Sequence, residues 1–285
     1  MFDQDLTSAR LEKCPQEFCG SEASSEKKMM TQKLKHRGLA VALAAAALFG
    51  TQAASADTIK LTGFWGGAGN ATITFSGKDY HDGVTYPSFT ETGGAGGFAT
   101  TDLTTGGPSF QSWCVDIFHN FNFPVTTVDT KQNASQIFSQ LGATAAAKIE
   151  KNLDRLYAAE HTLIDPHLST ADNSAAFQLA VWEIVNEKST NSYNLTTGDL
   201  TITSGSAGFA TAQTWLGLLN TDSSNPLYTV SFWNVNDVGG APKALGAQDV
   251  AVFAPIPEPE TYAMLLAGLG LMGFIARRRR GRDAA

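Results

Sequence analysis

Two apolar runs, Leu39 to Phe49 and Tyr262 to Ala276, bracket a body whose patterning passes from strand-like to helical and back. Thr58 to Trp65 and Ala71 to Ser76 carry β-branched and aromatic residues bounded by Gly66-Gly67 and Gly77, which predicts two strands joined as a hairpin. Thr90 to Gly107, rich in Gly and Thr, reads as a flexible loop, and Phe110 to Phe118 as a buried strand with Cys114 at its middle. Ile149, Leu153, Leu156 and Tyr157 then recur at helical spacing within Thr144 to His161, and Asp165-Pro166 closes that segment. Asp172 or Asn173 is placed to cap a second helix running to about Glu187. Ala175, Leu179 and Trp182 form one stripe on it, and Phe177, Ala180, Val181 and Ile184 spread around the rest, so it should be mostly buried. A third helix is expected from Ala207 to Leu219, and strands return at Leu227 to Val235 and Gln248 to Ala254. That order predicts an α+β domain, a β-sandwich or barrel with a helical insertion.

The bracketing runs differ in their flanks. Lys33, Lys35, His36 and Arg37 precede the first, and Ala54-Ser55-Ala56 follows it, the charged, apolar and small-residue order of a secretory signal peptide. The segments are therefore 1–28, an upstream extension or a start assigned too early; 29–56, the signal peptide; 57–254, the exported domain; and 255–285, a sorting tail. In that tail Pro257, Glu258 and Pro259 precede the apolar run and Arg277 to Arg280 close it. The run is a little short of the roughly 20 residues that span a bilayer, and the arginines mark its cytoplasmic end. This tail resembles the PEP-CTERM sorting signal of Gram-negative bacteria. The resemblance implies export machinery and an exosortase-type membrane protease as partners, an inner-membrane-anchored intermediate held by the transmembrane helix, and a final place at the cell surface or outside the cell.

Charge removes several function classes. Residues 57 to 256 carry 18 Asp and Glu against 8 Lys and Arg, a formal charge of −10, so nucleic acid is a poor partner. No Gly-rich phosphate motif opens a helix, and the scattered histidines lack metal-ligand spacing, so neither a cofactor nor a metal is expected.

Of the three cysteines, Cys14 and Cys19 lie upstream of the signal, which leaves Cys114 as an odd thiol in an exported protein. Gln178 is its counterpart: an amide flanked by Phe177, Leu179, Val181 and Trp182 on a buried helix is expensive to bury without a partner. Trp113-Cys114-Val115 and Phe177-Gln178-Leu179-Ala180-Val181-Trp182 resemble the paired motifs of the thioester domains of Gram-positive surface adhesins and pilus tips. The resemblance implies a β-barrel with helices between the motifs and a Cys114–Gln178 thioester formed with loss of ammonia. It also implies single-use acylation of an amine-bearing surface partner rather than turnover, in the service of adhesion or biofilm. Trp113, Phe177, Val181 and Trp182 would wall the bond from water, and Asp116 and His119, read on the same strand as the cysteine, are candidates for proton transfer. Two other readings compete: a non-covalent structural envelope or biofilm protein, and a cysteine hydrolase using His161 or His167 as base.

Overall fold

The structure, a computed structural model, describes residues 56–80, 83, 85–119, 122–187, 192–221, 227–235, 248–256 and 264–272. Six antiparallel strands close into a barrel. Around its wall they run β1 (Ala56–Phe64), β4 (Phe98–Asp102), β5 (Phe110–Cys114), β9 (Val250–Pro255), β8 (Tyr228–Val235) and β6 (Val125–Gln132), which returns to β1. Alternation fills the core: Ile59 and Leu61 on β1, Trp113 on β5, Val230 and Phe232 on β8 and Val250 on β9 are buried. Closure pairs both sides of every wall strand, which removes the exposed edges an open sheet would carry. Three further strands, β2 (Gly69–Lys78), β3 (Thr85–Ala95) and β7 (Leu200–Ile202), form a small sheet in the order β3-β2-β7.

Among the described residues, four α-helices lie between β6 and β8: α1 (Ala134–Ile137), α2 (Ala143–Glu160), α3 (Ala171–Asn186) and α4 (Phe209–Leu219). The structure thus has the expected helical insertion and settles the sandwich-or-barrel alternative as a barrel. Every α3 residue from Ser174 to Asn186 is buried. The helix packs against β5 of the barrel and against all three strands of the small sheet, which explains why its apolar residues encircle it. Its N-cap is Thr170, not Asp172 or Asn173: the Thr170 hydroxyl accepts from the Asn173 N–H at 3.1 Å. Asp172 sits in the first turn, where its carboxylate accepts from the Gly208 N–H (2.8 Å) and the Thr211 hydroxyl (3.1 Å) and ties α4 to α3.

Three expectations are corrected. β1 and β2 do not form a hairpin, because β1 pairs with β4 and β6 while β2 pairs with β3 and β7; Gly66 and Gly67, at φ 88° and 92°, carry the chain between the two sheets. The Thr90–Gly107 stretch is not a flexible loop but mostly β3 and β4. Its threonines join cross-strand pairs, Thr72 with Thr92 at 2.8 Å and Thr74 with Thr90 at 3.0 Å between hydroxyls. Its glycines answer crowding as well: a Cβ on Gly97 would lie 2.6 Å from the Gln111 amide nitrogen and 3.0 Å from the Trp113 ring. Finally, β5 stops at Cys114, so the cysteine ends its strand. Asp116 turns the chain there by accepting the Phe118 N–H at 2.8 Å.

The upstream segment 1–28 and the signal peptide, apart from Ala56 at the start of β1, lie outside the described residues, as do Pro257, Glu258 and Pro259. Of the expected transmembrane run, residues 264–272 are described; they are helical and exposed. Among the described residues no helix is long and apolar enough to cross a membrane.

Candidate functional site

The β4–β5 register ends at Phe98 opposite Ser112, two residues short of Cys114. From α3, the Gln178 side chain continues that ladder in place of a strand. Its Oε1 accepts from the Cys114 N–H at 3.1 Å, and its Nε2 donates to the Cys114 carbonyl at 2.7 Å. Both residues are 1% exposed. A carboxamide has one acceptor end and one donor end, as a peptide unit does, and this pair of bonds lets a glutamine reside between Phe177 and Leu179 on a buried helix.

The sulfur lies in the same enclosure and donates to the Asp116 carbonyl at 2.9 Å. Burial pushes the Cys114 thiol far above its ordinary range and the Asp116 charge adds to this, while the Trp182 indole beside it and the Asp116 backbone pull the other way. The free side chain is therefore a neutral thiol.

Trp113 and Phe177 meet with ring centroids 4.4 Å apart, Val181 is fully buried, and Trp182 is 8% exposed. Tyr157 and Phe253, which the sequence did not single out for this site, stack at 4.3 Å, and both rings meet Phe177 edge-on. Asp249 was also missed: its backbone carbonyl accepts the Val115 N–H, and its carboxylate accepts from the Val235 N–H and the Asn234 amide. Tyr80, buried nearby, has its phenol pushed well above the usual range by burial and by the charges of Asp249 and Asp116.

Asp116 and His119 come together, though beyond the strand rather than on it. The Asp116 carboxylate, fully buried, bonds His119 Nδ1 at 2.8 Å, and the His119 carbonyl accepts from the Gln248 amide. The two histidines of the hydrolase reading are engaged elsewhere: His161 Nδ1 is 3.1 Å from the Ala158 carbonyl and its ring lies against Tyr157 and Tyr228, while His167 meets Trp65 edge-on. Among the described residues no group of three or more His, Cys, Asp or Glu is placed to hold a metal.

A cavity of about 390 Å³ opens beside this enclosure, with Trp182 and Asp116 as its shared walls. Phe64, Phe98 and Phe123 line it on one side and Glu91 and Thr92 on another.

Comparison with known proteins identifies the other end of the chain. The PEP-CTERM protein-sorting motif matches residues 255–280, a span that includes Pro257, Glu258 and Pro259. The chain thus carries the signal of an exosortase-sorted exported protein, which implies membrane-associated export through an anchored intermediate. No curated protein and no solved structure matches the chain.

Proposed function

We propose that this is an exported surface or matrix protein whose barrel domain carries an internal Cys114–Gln178 thioester for one-time acylation of a partner's amine. One observation carries the reading: residues 64 apart in sequence are clasped by two hydrogen bonds in a buried enclosure that also holds the Cys114 sulfur. The Cys114 N–H already donates to Gln178 Oε1, the oxygen on which negative charge develops as sulfur adds to the carboxamide carbon. Addition followed by loss of ammonia gives the thioester, and apolar walls slow its hydrolysis. The outcome is adhesion or crosslinking in a biofilm matrix, without turnover.

Intact-mass measurement of freshly purified protein tests this. The expected result is a mass lower by one ammonia with Cys114 inert to alkylation, and methylamine should restore a free thiol. A full mass with a thiol that alkylates on unfolding overturns the covalent reading. A second reading then takes over, a non-covalent structural protein in which the same two bonds merely satisfy a buried glutamine, and the neutral, hydrogen-bonded thiol favours it.

A further inference from the structure

We infer that the outer edge of β3 takes up an extended peptide segment of a partner protein as a fourth strand of the small sheet, with an apolar side chain of that segment entering the 390 Å³ cavity against Phe64, Phe98 and Phe123. The inference rests on neither reading of the Cys114–Gln178 pair.

The barrel has no open edge, but the small sheet has one. β2 lies between β3 and β7, and among the described residues β3 pairs with β2 alone. On the far side β7 is covered, since the Ile202 N–H donates to the Leu195 carbonyl at 2.7 Å. The direction of the β3 backbone groups follows from the bonds its neighbour makes. Thr72 of β2 accepts the Thr203 N–H at 2.9 Å, and Ser76 donates its N–H to the Asp199 carbonyl at 2.9 Å, so the even-numbered residues of β2 bond toward β7. Ala71, Ile73 and Phe75 therefore bond toward β3, opposite Gly93, Glu91 and Phe89. The alternate residues Thr90, Thr92 and Gly94 turn their N–H and C=O groups outward, and all three are exposed. Pro87, beside the register shift opposite Phe75 and Gly77, ends this pairable edge on its N-terminal side.

The cavity lies against that edge. Glu91, Thr92, Gly93 and Gly94 line it consecutively. One face of a strand shows alternate residues only, so four in a row mean that the cavity meets the β3 backbone. Gly93 and Gly94 keep this backbone bare, and a Cβ on Gly93 would meet nothing within 4 Å. Phe64, Phe98 and Phe123 supply an aromatic wall, with centroids 5.7 Å apart for Phe64–Phe98, 5.0 Å for Phe64–Phe123 and 5.6 Å for Phe98–Phe123. A bare edge beside a ring-lined cavity is the arrangement in which main-chain bonds hold an added strand and a pocket selects one of its side chains. No Lys or Arg lines the cavity, so an acidic segment finds no counter-charge there. A second copy of this chain is a poor occupant too. Two β3 strands paired about Thr92 set the second Glu91 opposite Gly93, beside the Glu91 and Asp116 already in the lining, and bring no large apolar side chain to the rings.

The probe is the synthetic peptide acetyl-Arg-Val-Thr-Phe-Thr-Val-Arg-amide, which alternates as a strand does and carries no primary amine. It is titrated to millimolar concentration into isotope-labelled wild-type protein while the backbone amide resonances of Thr90, Thr92 and Gly94 are followed. Saturable movement of these resonances and slower hydrogen exchange at them are expected. Replacing the probe's phenylalanine by alanine should weaken binding at least about tenfold, through the lost burial of the ring. Two protein variants should weaken it to a similar degree. Thr92→Pro removes an outward N–H without touching the β2 ladder, and Gly93→Val fills the slot with a side chain that enters open space, so it keeps the test valid where Thr92→Pro fails to fold. Unmoved resonances in folded wild-type protein, equal binding by Gly93→Val, or equal binding of the alanine peptide overturns the inference. So does a dimer of the free protein in which these three amides are already protected from exchange.

Discussion

Glu183 sits one turn beyond Gln178 on α3, fully buried, and it gives the fold a measurable pH dependence. Its Oε1 accepts from the Asn194 N–H at 2.8 Å, while Oε2 has no hydrogen-bond partner. Burial raises its pKa from 4.5 to about 8, with a further push from Glu187 and an opposing pull from the Asn194 N–H. Because the folded value lies above the unfolded one, the native state holds a proton that the unfolded chain releases once pH passes 4.5. Stability from this group is therefore complete below pH 4.5, declines as pH rises through the window, and is lost above about 8. At about 1.4 kcal/mol per pKa unit the full effect is of order 3–5 kcal/mol. Glu183→Gln keeps an oxygen for Asn194 and mimics the protonated acid, so it should equal wild type near pH 4.5 and exceed it progressively toward pH 8.5. Urea unfolding followed by tryptophan fluorescence across that range supplies both curves, and their difference isolates Glu183 from other titrating groups. Parallel curves would refute the reasoning and mean that Glu183 is ionised, with solvent reaching its second oxygen.

Other perturbations follow from single contacts. Gly208 has φ +74°, and a Cβ there would lie 2.3 Å from the Ala176 nitrogen, so Gly208→Ala should cost about 2–5 kcal/mol through backbone strain and displacement of α4, read as a lower urea midpoint. Thr170→Ala removes the α3 cap and should cost about 1 kcal/mol, which Thr170→Ser should recover. Asp154 receives the Leu227 and Tyr228 N–H groups at the start of β8; Asp154→Ala should lose about 1.5–3 kcal/mol in the same assay. Replacing Pro257, Glu258 and Pro259 by alanine should leave unprocessed protein in the inner membrane of the native host, and unchanged processing would show that the motif is not read.

What the sequence could convey depended on whether each feature was local. Helix α3 was legible because thirteen successive buried residues leave few polar ones to mistake for a surface, and Gln178 stood out against that background. Nothing in the half-exposed pattern of Val125–Gln132 marks β6, because a barrel strand with polar residues facing out differs little from a loop. The pairing of β1 was hidden for another reason: Ile59 lies opposite both Asp102 and Thr127, and no local grammar announces partners 43 and 68 positions away. Asp249 and Glu91 reach the site region only through such long-range closure, so neither carried a signal. The shortening of β5 turns on a side chain, since the Asp116 bond to Phe118 ends a run whose hydrophobicity continues through Phe118.

The clasp between Cys114 and Gln178 also bears on the energy of the covalent state. Nε2 of Gln178 is the donor that satisfies the Cys114 carbonyl, and it is the atom that condensation expels as ammonia. Forming the proposed thioester would therefore trade a 2.7 Å bond between two buried residues for a buried carbonyl without that donor, at a cost of about 1–3 kcal/mol. The bond from the Cys114 N–H to Oε1 would be retained in that state, keeping the acyl oxygen polarised. Attack by an amine would restore a nitrogen at the vacated position, and the new secondary amide would keep one N–H to return to the Cys114 carbonyl. Water would restore only an oxygen, and the buried acid could return a donor to that carbonyl only by keeping its proton, in an enclosure where burial already drives the neighbouring thiol toward neutrality. In the proposed thioester an amide product would thus return its own N–H to the Cys114 carbonyl while the hydrolysis product would depend on a retained proton, a difference located in the Cys114 backbone rather than in a catalytic side chain.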